Sequence, residues 1–292
     1  MSSSKSPLAI LTMVRGDHHW ARKWIAHYRQ HVERLKDIYV IIHGEDEELE
    51  QIFAGCSVMS VPLRGTGLEN FERRRLDCEH FLIRGLQAYF QCVLMVDIDE
   101  FVMPAPGDGR ALAEFLADRH DGEMVRSALG FEVLHGLEED EAPLDLAQPV
   151  LGQRPWVYCN AQYSKPCAFY FNFGGATHHR VWGAPWVIDP DLLLFHLRYC
   201  DRDLLDRYVA TRKAYYGEQE EAGAASSGSW RRPWKEYVGI LREVEARPRG
   251  DLTPETRAAL KSQILTDFAR TNKVGKIASG PLRLPTEFGA LL

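Results

Sequence analysis

The sequence has no CxxC pair, no internal repeat, no excess of basic charge and no apolar run near the ~20 residues that a membrane helix needs. Each absence removes a class. Cys56, Cys78, Cys92, Cys159, Cys167 and Cys200 show no CxxC pair, and several are set in apolar runs, where a free thiol packs as a small hydrophobe. They are expected to be reduced and the protein cytoplasmic. With 41 acidic against 35 basic residues and a formal charge of −6, the chain has no general attraction to a polyanion, so a nucleic-acid partner is not expected. Only Lys5 precedes the apolar residues 8–14, and no small-residue cleavage site follows them. That run is expected to be a first strand rather than a signal peptide, and any membrane contact to be peripheral, at the inner face.

What is present is ordinary for a globular protein: 45% hydrophobic and 26% charged residues in 292. This length suits one large domain with appendages. Strand-like and helix-like segments alternate through the first hundred residues, the pattern of a parallel sheet with helices on its faces. Trp20, Trp24, Tyr28, His31 and Leu35 recur at helical spacing after the first strand. "DIYVIIHG" and "CSVMSVPL" read as further strands around a short acidic helix, "EDEELEQIF". In "LENFERRRLDCEHFLIRGLQAYF" the helical count puts Arg75 on the apolar face with Cys78, Leu82 and Leu86. A guanidinium there needs an anion, either a core carboxylate or a phosphate or sugar of a ligand.

The segment "CVLMVDIDEFVMP" carries the chemistry. Residues 92–96 are continuously apolar, as in a strand covered on both faces, and Asp97, Asp99 and Glu100 follow at once. Strand ends in such sheets are where ligands bind. In extended geometry Asp97 and Asp99 leave the same side of the chain, with Ile98 turned to the core. Two carboxylates so close need a positive charge between them, and a divalent metal supplies it. The structural alternative is a strand-end turn whose aspartates cap backbone amides.

Beyond residue 105 come a helix ("DGRALAEFLADRH"), a strand ("EMVRSALGFEVLHG") and an acidic, proline-punctuated loop ("LEEDEAPLDLAQP"), then an aromatic, glycine-rich stretch from "RPWVYC" to "APWVID". Its rings serve either core packing or stacking against sugars. From Asp201 onward the chain reads as helical. Residues 221–229 form a small-residue linker, and Thr253, Pro254 and Glu255 make a helix start.

Four segments in order, "TMVRGDHHWARKWIAHYRQHVERLKDIYVIIHG", "VLMVDIDEFV", "SKPCAFYFNFGGATHHRV" and "LLFHLRYCDRD", make residues 8–210 resemble the family 2-like glycosyltransferases of the GT-A fold, those with a DIDEF metal motif. The resemblance implies an α/β fold with a mostly parallel central sheet flanked by helices over residues 1–210, and a helical extension over 211–292. It implies a nucleoside diphosphate sugar donor, expected to be a UDP-sugar, and Mn2+ or Mg2+ held by Asp99 directly, with Asp97 reaching the ribose or the metal's water. His196, after the apolar "LLLF", is the expected third metal ligand, with His178 and His179 as alternatives. Lys165 and Arg180 are expected near the diphosphate, and Arg75 and Asp17 at the donor. The family's Asn-Glu after the first strand is replaced here by Arg15, Gly16 and Asp17, so Asp17 is the candidate for the base contact.

Transfer with inversion needs a general base for the acceptor hydroxyl. Glu132 and Asp201 are the candidates, with Asp203 beside the latter, and the acceptor is expected to be a glycan or a lipid-linked glycan. Two other classes compete: an inactive relative that binds glycans or a partner, and a DxD-type magnesium phosphohydrolase, which would carry its motif on the first strand.

Overall fold

A computed structural model describes residues 5–62, 68–136, 142–171, 176–177, 180–181, 185–220 and 234–292; the side chains of 68–72, 176–177, 180, 212–220 and 236 lie outside that description. In chain order the strands are β1 (Ser6–Val14), β2 (Ile38–His43), β3 (Ser57–Val61), β4 (Phe90–Met95), β5 (Glu100–Pro104), β6 (Val125–Val133), β7 (Trp156–Cys159), β8 (Pro166–Phe169), β9 (Ala176–Thr177), β10 (Arg180–Val181), β11 (Ile188–His196), β12 (Gly250–Asp251) and β13 (Leu282–Arg283). The helices are α1 (His18–Tyr28), α2 (Glu47–Ile52), α3 (Leu68–Leu86), α4 (Leu112–Ala117), α5 (Val150–Gln153), α6 (Arg202–Glu220), α7 (Trp234–Glu245) and α8 (Pro254–Thr271). The class is mixed α/β, with sheet strands flanked by helices. The chain divides into two compact units: residues 1–65, 73–128 and 164–194, and residues 66–72, 129–163 and 195–292.

In the first unit β4, β1, β2 and β3 lie side by side and parallel, and β8 adds antiparallel to β4. The apolar runs explain this order. Leu8, Ala9, Ile10 and Leu11 of β1 and Cys92, Val93 and Leu94 of β4 are at most 1% exposed, as strands covered on both faces must be. On one side, Ile83 and Leu86 of α3 pack with Ala9, Leu11, Ile41, Val93 and Phe169. Trp24 and Tyr28 of α1 make a second aromatic cluster with Phe53 and Phe101.

The helical spacing of the sequence runs on to Leu35, yet α1 ends at Tyr28 and Val32 is extended (φ −120°, ψ 153°). Tyr28 is pinned where the helix stops. Its hydroxyl donates to the Glu100 carbonyl (3.1 Å) and accepts from the Val102 amide (2.8 Å), while His27 Nε2 lies 3.1 Å from the Val102 carbonyl.

In the second unit the end of β6 pairs antiparallel with β7, β7 with β13, and β13 runs parallel to β12. Leu134, Tyr158, Tyr199, Leu205, Tyr208, Tyr237, Leu241 and Val244 form the core under α6 and α7. α8 starts as the sequence leads one to expect: Thr253 accepts from the Thr256 amide at 3.2 Å and Pro254 opens the helix.

All six cysteines are free thiols. No helix among the described residues is long and apolar enough to cross a membrane.

Candidate functional site

In the first unit β1 leads by α1 to β2 on one side, while β4 pairs with β1 on the other. The connection thus reverses direction across the sheet between β1 and β4, which makes the carboxyl edge between those strands a topological switch point. Open α/β sheets bind ligands in the crevice this creates. Two sequence candidates stand there, Asp17 after β1 and Asp97 after β4.

Gly16 (φ 63°) and Asp17 (φ 49°) are both left-handed, so the chain turns sharply between the end of β1 and the start of α1. Asp is among the few residues other than glycine that tolerate this region, at a cost of order 1 kcal/mol. Its side chain makes no cap hydrogen bond to α1.

At the end of β4 the backbone departs from the extended geometry that the sequence suggested. The strand stops at Met95, Ile98 and Asp99 form a turn, and the Glu100 amide donates to the Asp97 carbonyl at 3.1 Å. Strict alternation therefore does not apply to the acidic trio, although Ile98 is still buried. Asp97 Oδ1 lies 2.5 Å from Arg75 Nη1, and Asp97 Oδ2 lies 2.8 Å from Lys165 Nζ. Lys165 also lies 2.8 Å from Glu100 Oε1, and Glu100 Oε2 accepts from the Asp97 amide at 3.0 Å. Arg75 has Glu79 at 3.8 Å as well. A lysine thus lies between Asp97 and Glu100, and an arginine beside Asp97. Of the two anions open to Arg75 in the sequence, the structure supplies the protein carboxylate.

Lys165 is 2% exposed. Burial alone would lower its pKa, but Asp97 and Glu100 outweigh burial and hold it well above the ordinary lysine range. Glu100 and Asp99 are equally enclosed, whereas the Asp97 side chain is 25% exposed. Asp97 is therefore the most exposed carboxylate of the turn, with a cation on each oxygen.

Asp97 and Asp99 belong to the first unit, and Glu132, His196 and Asp201 to the second. His196 Nδ1 makes a very short contact to Glu132 Oε1, and both are buried. The imidazole stacks on Tyr163, with ring centroids 4.1 Å apart and an interplanar angle of 21°. Asp201 is committed to the backbone, Oδ1 accepting from Leu204 at the start of α6 and Oδ2 from Leu144, at 2.9 and 2.8 Å. Asp203 is exposed and lines a cleft with Asp201, His135, Arg202 and Trp234. His178 and His179, the Arg180 side chain and the linker 221–229 lie outside the described residues. Among the described residues no group of three or more His, Cys, Asp or Glu side chains converges as a metal site.

Tyr158 and Tyr163 of the aromatic stretch line a cleft of about 530 Å³ with Glu132, together with Tyr199 and Tyr237, which the sequence did not single out. Aromatic density in "WVYCNAQY" was the available signal, and it does not separate core rings from cleft rings.

No protein-family model matches the chain, and no curated protein matches it. Among solved structures it is similar to a mannosyltransferase from Pyrobaculum calidifontis, determined in complex with GDP-Man and Mn2+. The identity is 10% and the TM-score 0.40, over 92% of this chain and 82% of that one. It is also similar to TarS residues 1–349 of S. aureus (13% identity, TM-score 0.30, 47% of this chain and 38% of that one). A protein of Desulfovibrio desulfuricans G20 assigned to the nucleotide-diphospho-sugar transferases gives 14% identity and a TM-score of 0.27, over 43% and 59%. Likeness at this level carries no chemistry from those proteins to this one, whose function has to be argued from its own residues.

Proposed function

We propose that the protein is a glycosyltransferase that takes a sugar from a nucleoside diphosphate sugar, a UDP-sugar in the first instance, and passes it to a glycan or lipid-linked acceptor. The observation that carries this reading is the placement of Asp97, partly open, at the switch-point crevice, with Asp17 following the neighbouring strand β1. The sequence resemblance around DIDEF agrees with it.

In this reading Asp97 accepts hydrogen bonds from the ribose hydroxyls. Arg75 and Lys165 each bond one of its oxygens and fix its rotamer, so the carboxylate is aimed before the donor arrives. Asp17, on its left-handed backbone, faces the nucleoside from the other lip of the crevice.

The resemblance implies Mg2+ or Mn2+, and the donor set at the turn fits one such ion in a limited way. Asp97 and Glu100 are tied to Lys165, and Asp97 to Arg75; in this reading Asp99, the second Asp of the motif, is the hard oxygen ligand that would hold it. Magnesium sites of this kind commonly use one or two carboxylates and take the remaining ligands from substrate phosphates and water. When bound, the ion would neutralise charge on the leaving diphosphate.

Glu132 is the proposed proton acceptor for the incoming hydroxyl, with His196 fixing its orientation. Asp201, with both oxygens on backbone amides, acts as a structural cap in this reading.

Calorimetry with a panel of nucleoside diphosphate sugars, with and without Mn2+, tests the proposal. One donor should bind, Asp97→Asn should weaken it about tenfold or more, as expected for a charge-assisted hydrogen bond, and Asp99→Ala should remove the metal dependence. A panel in which no nucleoside diphosphate sugar binds, or in which Asp97→Asn binds like the parent, refutes it.

A further inference from the structure

The second unit holds a cleft that the donor chemistry does not use. It measures about 530 Å³, within the roughly 300–1,000 Å³ typical of small-ligand sites. Its walls combine tyrosine rings with short polar groups: Tyr158, Tyr163, Tyr199 and Tyr237, with Asn160 and Glu132 among them.

The rings come in parallel pairs. Tyr199 stacks on Tyr237, with centroids 4.3 Å apart and planes at 10°, and Tyr163 stacks on His196. Each ring is thereby fixed before any ligand enters. Glu132 is fixed too, through the contact of its Oε1 to His196.

One group in this wall is unusual. The Tyr237 hydroxyl is fully buried, and among the described residues it has no hydrogen-bond partner. A buried hydroxyl without a partner costs roughly 1–3 kcal/mol, so native proteins rarely keep one unless something else satisfies it. Burial, followed by the neighbouring Tyr158 and Glu132, pushes its pKa well above the ordinary tyrosine range, so it stays protonated and can donate.

We infer that this cleft is a binding site for a neutral, polyhydroxylated ring: Tyr163, the partly exposed ring of the wall, meets a C–H face of the ring, the Tyr237 hydroxyl donates to a sugar oxygen, and Glu132 and Asn160 bond its hydroxyls. The charges argue for a neutral ligand. The carboxylates Glu132 and Glu243 and the cations Arg247 and Lys276 line the cleft in equal number, and Arg247 is held by Glu243 at 3.2 Å and by the Ile277 carbonyl at 3.1 Å, so the lining has no net charge to draw an ion. In the transferase reading such a ring is the acceptor sugar, and the inference rests on that reading only for the name "acceptor".

The test is saturation-transfer NMR and calorimetry on the full chain without nucleotide or metal. The probes are maltotriose, mannotriose and cellotriose at millimolar concentration, with glucose 6-phosphate as the anionic comparator. At least one neutral trisaccharide should bind more tightly than glucose 6-phosphate. Tyr237→Phe, which removes one oxygen atom and keeps the stack, should weaken it about three- to tenfold, and Tyr163→Ala by more. Circular dichroism checks folding, and if Tyr163→Ala unfolds, Tyr237→Phe decides alone.

No binding by any trisaccharide, tighter binding of glucose 6-phosphate, or a folded Tyr237→Phe that binds like the parent overturns the inference. A parallel titration with UDP-sugars and Mn2+ separates the two proposals. Trisaccharide binding without donor binding refutes the transferase and leaves the cleft standing, whereas donor binding alone refutes the cleft.

Discussion

Lys165→Met gives the sharpest view of the energetics at the acidic turn. The ammonium sits 2.8 Å from both Asp97 and Glu100, with 2% of its side chain exposed. At an effective dielectric of about 20, each contact is worth roughly 6 kcal/mol before desolvation is counted. Losing one partner of a buried pair typically costs about 3–5 kcal/mol after that correction. The two carboxylates do not share the loss equally. Asp97 is 25% exposed and keeps Arg75, whereas the Glu100 side chain is 1% exposed, so most of the penalty falls on Glu100.

Urea and thermal unfolding should therefore show a loss of about 3–5 kcal/mol, or roughly 6–20 °C in Tm. Adding Glu100→Gln should return at least half of it. The folded pKa of Lys165 is raised, so its contribution is complete below the unfolded lysine value of 10.5 and is lost as pH rises through the higher folded value. The difference between parent and variant should accordingly stay flat from pH 6 to 9. A loss under about 1 kcal/mol, the size of an exposed pair, or no recovery in the double variant, would refute the account.

Three further outcomes are expected. His27 and His31 are held neutral mainly by burial, with pKa values of about 3 and about 4 against 6.5 in the unfolded chain. Stability should be full above pH 6.5 and fall below it, by at most about 1.4 kcal/mol per pH unit for each ring; His27→Gln should reduce that slope by about half in unfolding curves at pH 7, 6 and 5. Thr253→Ala should cost about 1 kcal/mol by removing the α8 cap, read as a shift in the urea midpoint. A Cβ on Gly152 would stand 2.5 Å from the Gly289 carbonyl oxygen, so Gly152→Ala should cost about 1–3 kcal/mol in the same assay, while Gly239→Ala, with open space around it, should not.

The first unit was largely legible in the sequence because its signals are local. Residues 8–14 and 92–96 are apolar without interruption, and doubly covered parallel strands follow from that pattern. The α8 start was legible for the same reason, since a cap is written in three adjacent residues. What escaped was long-range. Lys165 meets Asp97 across 68 positions and His196 meets Glu132 across 64, and no periodicity records such pairings. Arg75 shows the boundary well. Its helical phase announced that it needed an anion, and only the fold could say which. The turn at Ile98 and Asp99 stood in the sequence only as the alternative to extended geometry, because DIDE is equally compatible with a strand read in alternation.

The contacts of Tyr28 and His27 have a consequence for solubility. β5 pairs with β11 alone among the described strands, so its other margin presents backbone donors and acceptors of the kind that recruit a foreign chain. One phenol takes the Val102 amide and the Glu100 carbonyl, and one imidazole takes the Val102 carbonyl, much as a neighbouring strand would. Two side chains of a helix thus stand in for a missing strand along this border, and Pro104, which has no amide to offer, closes β5.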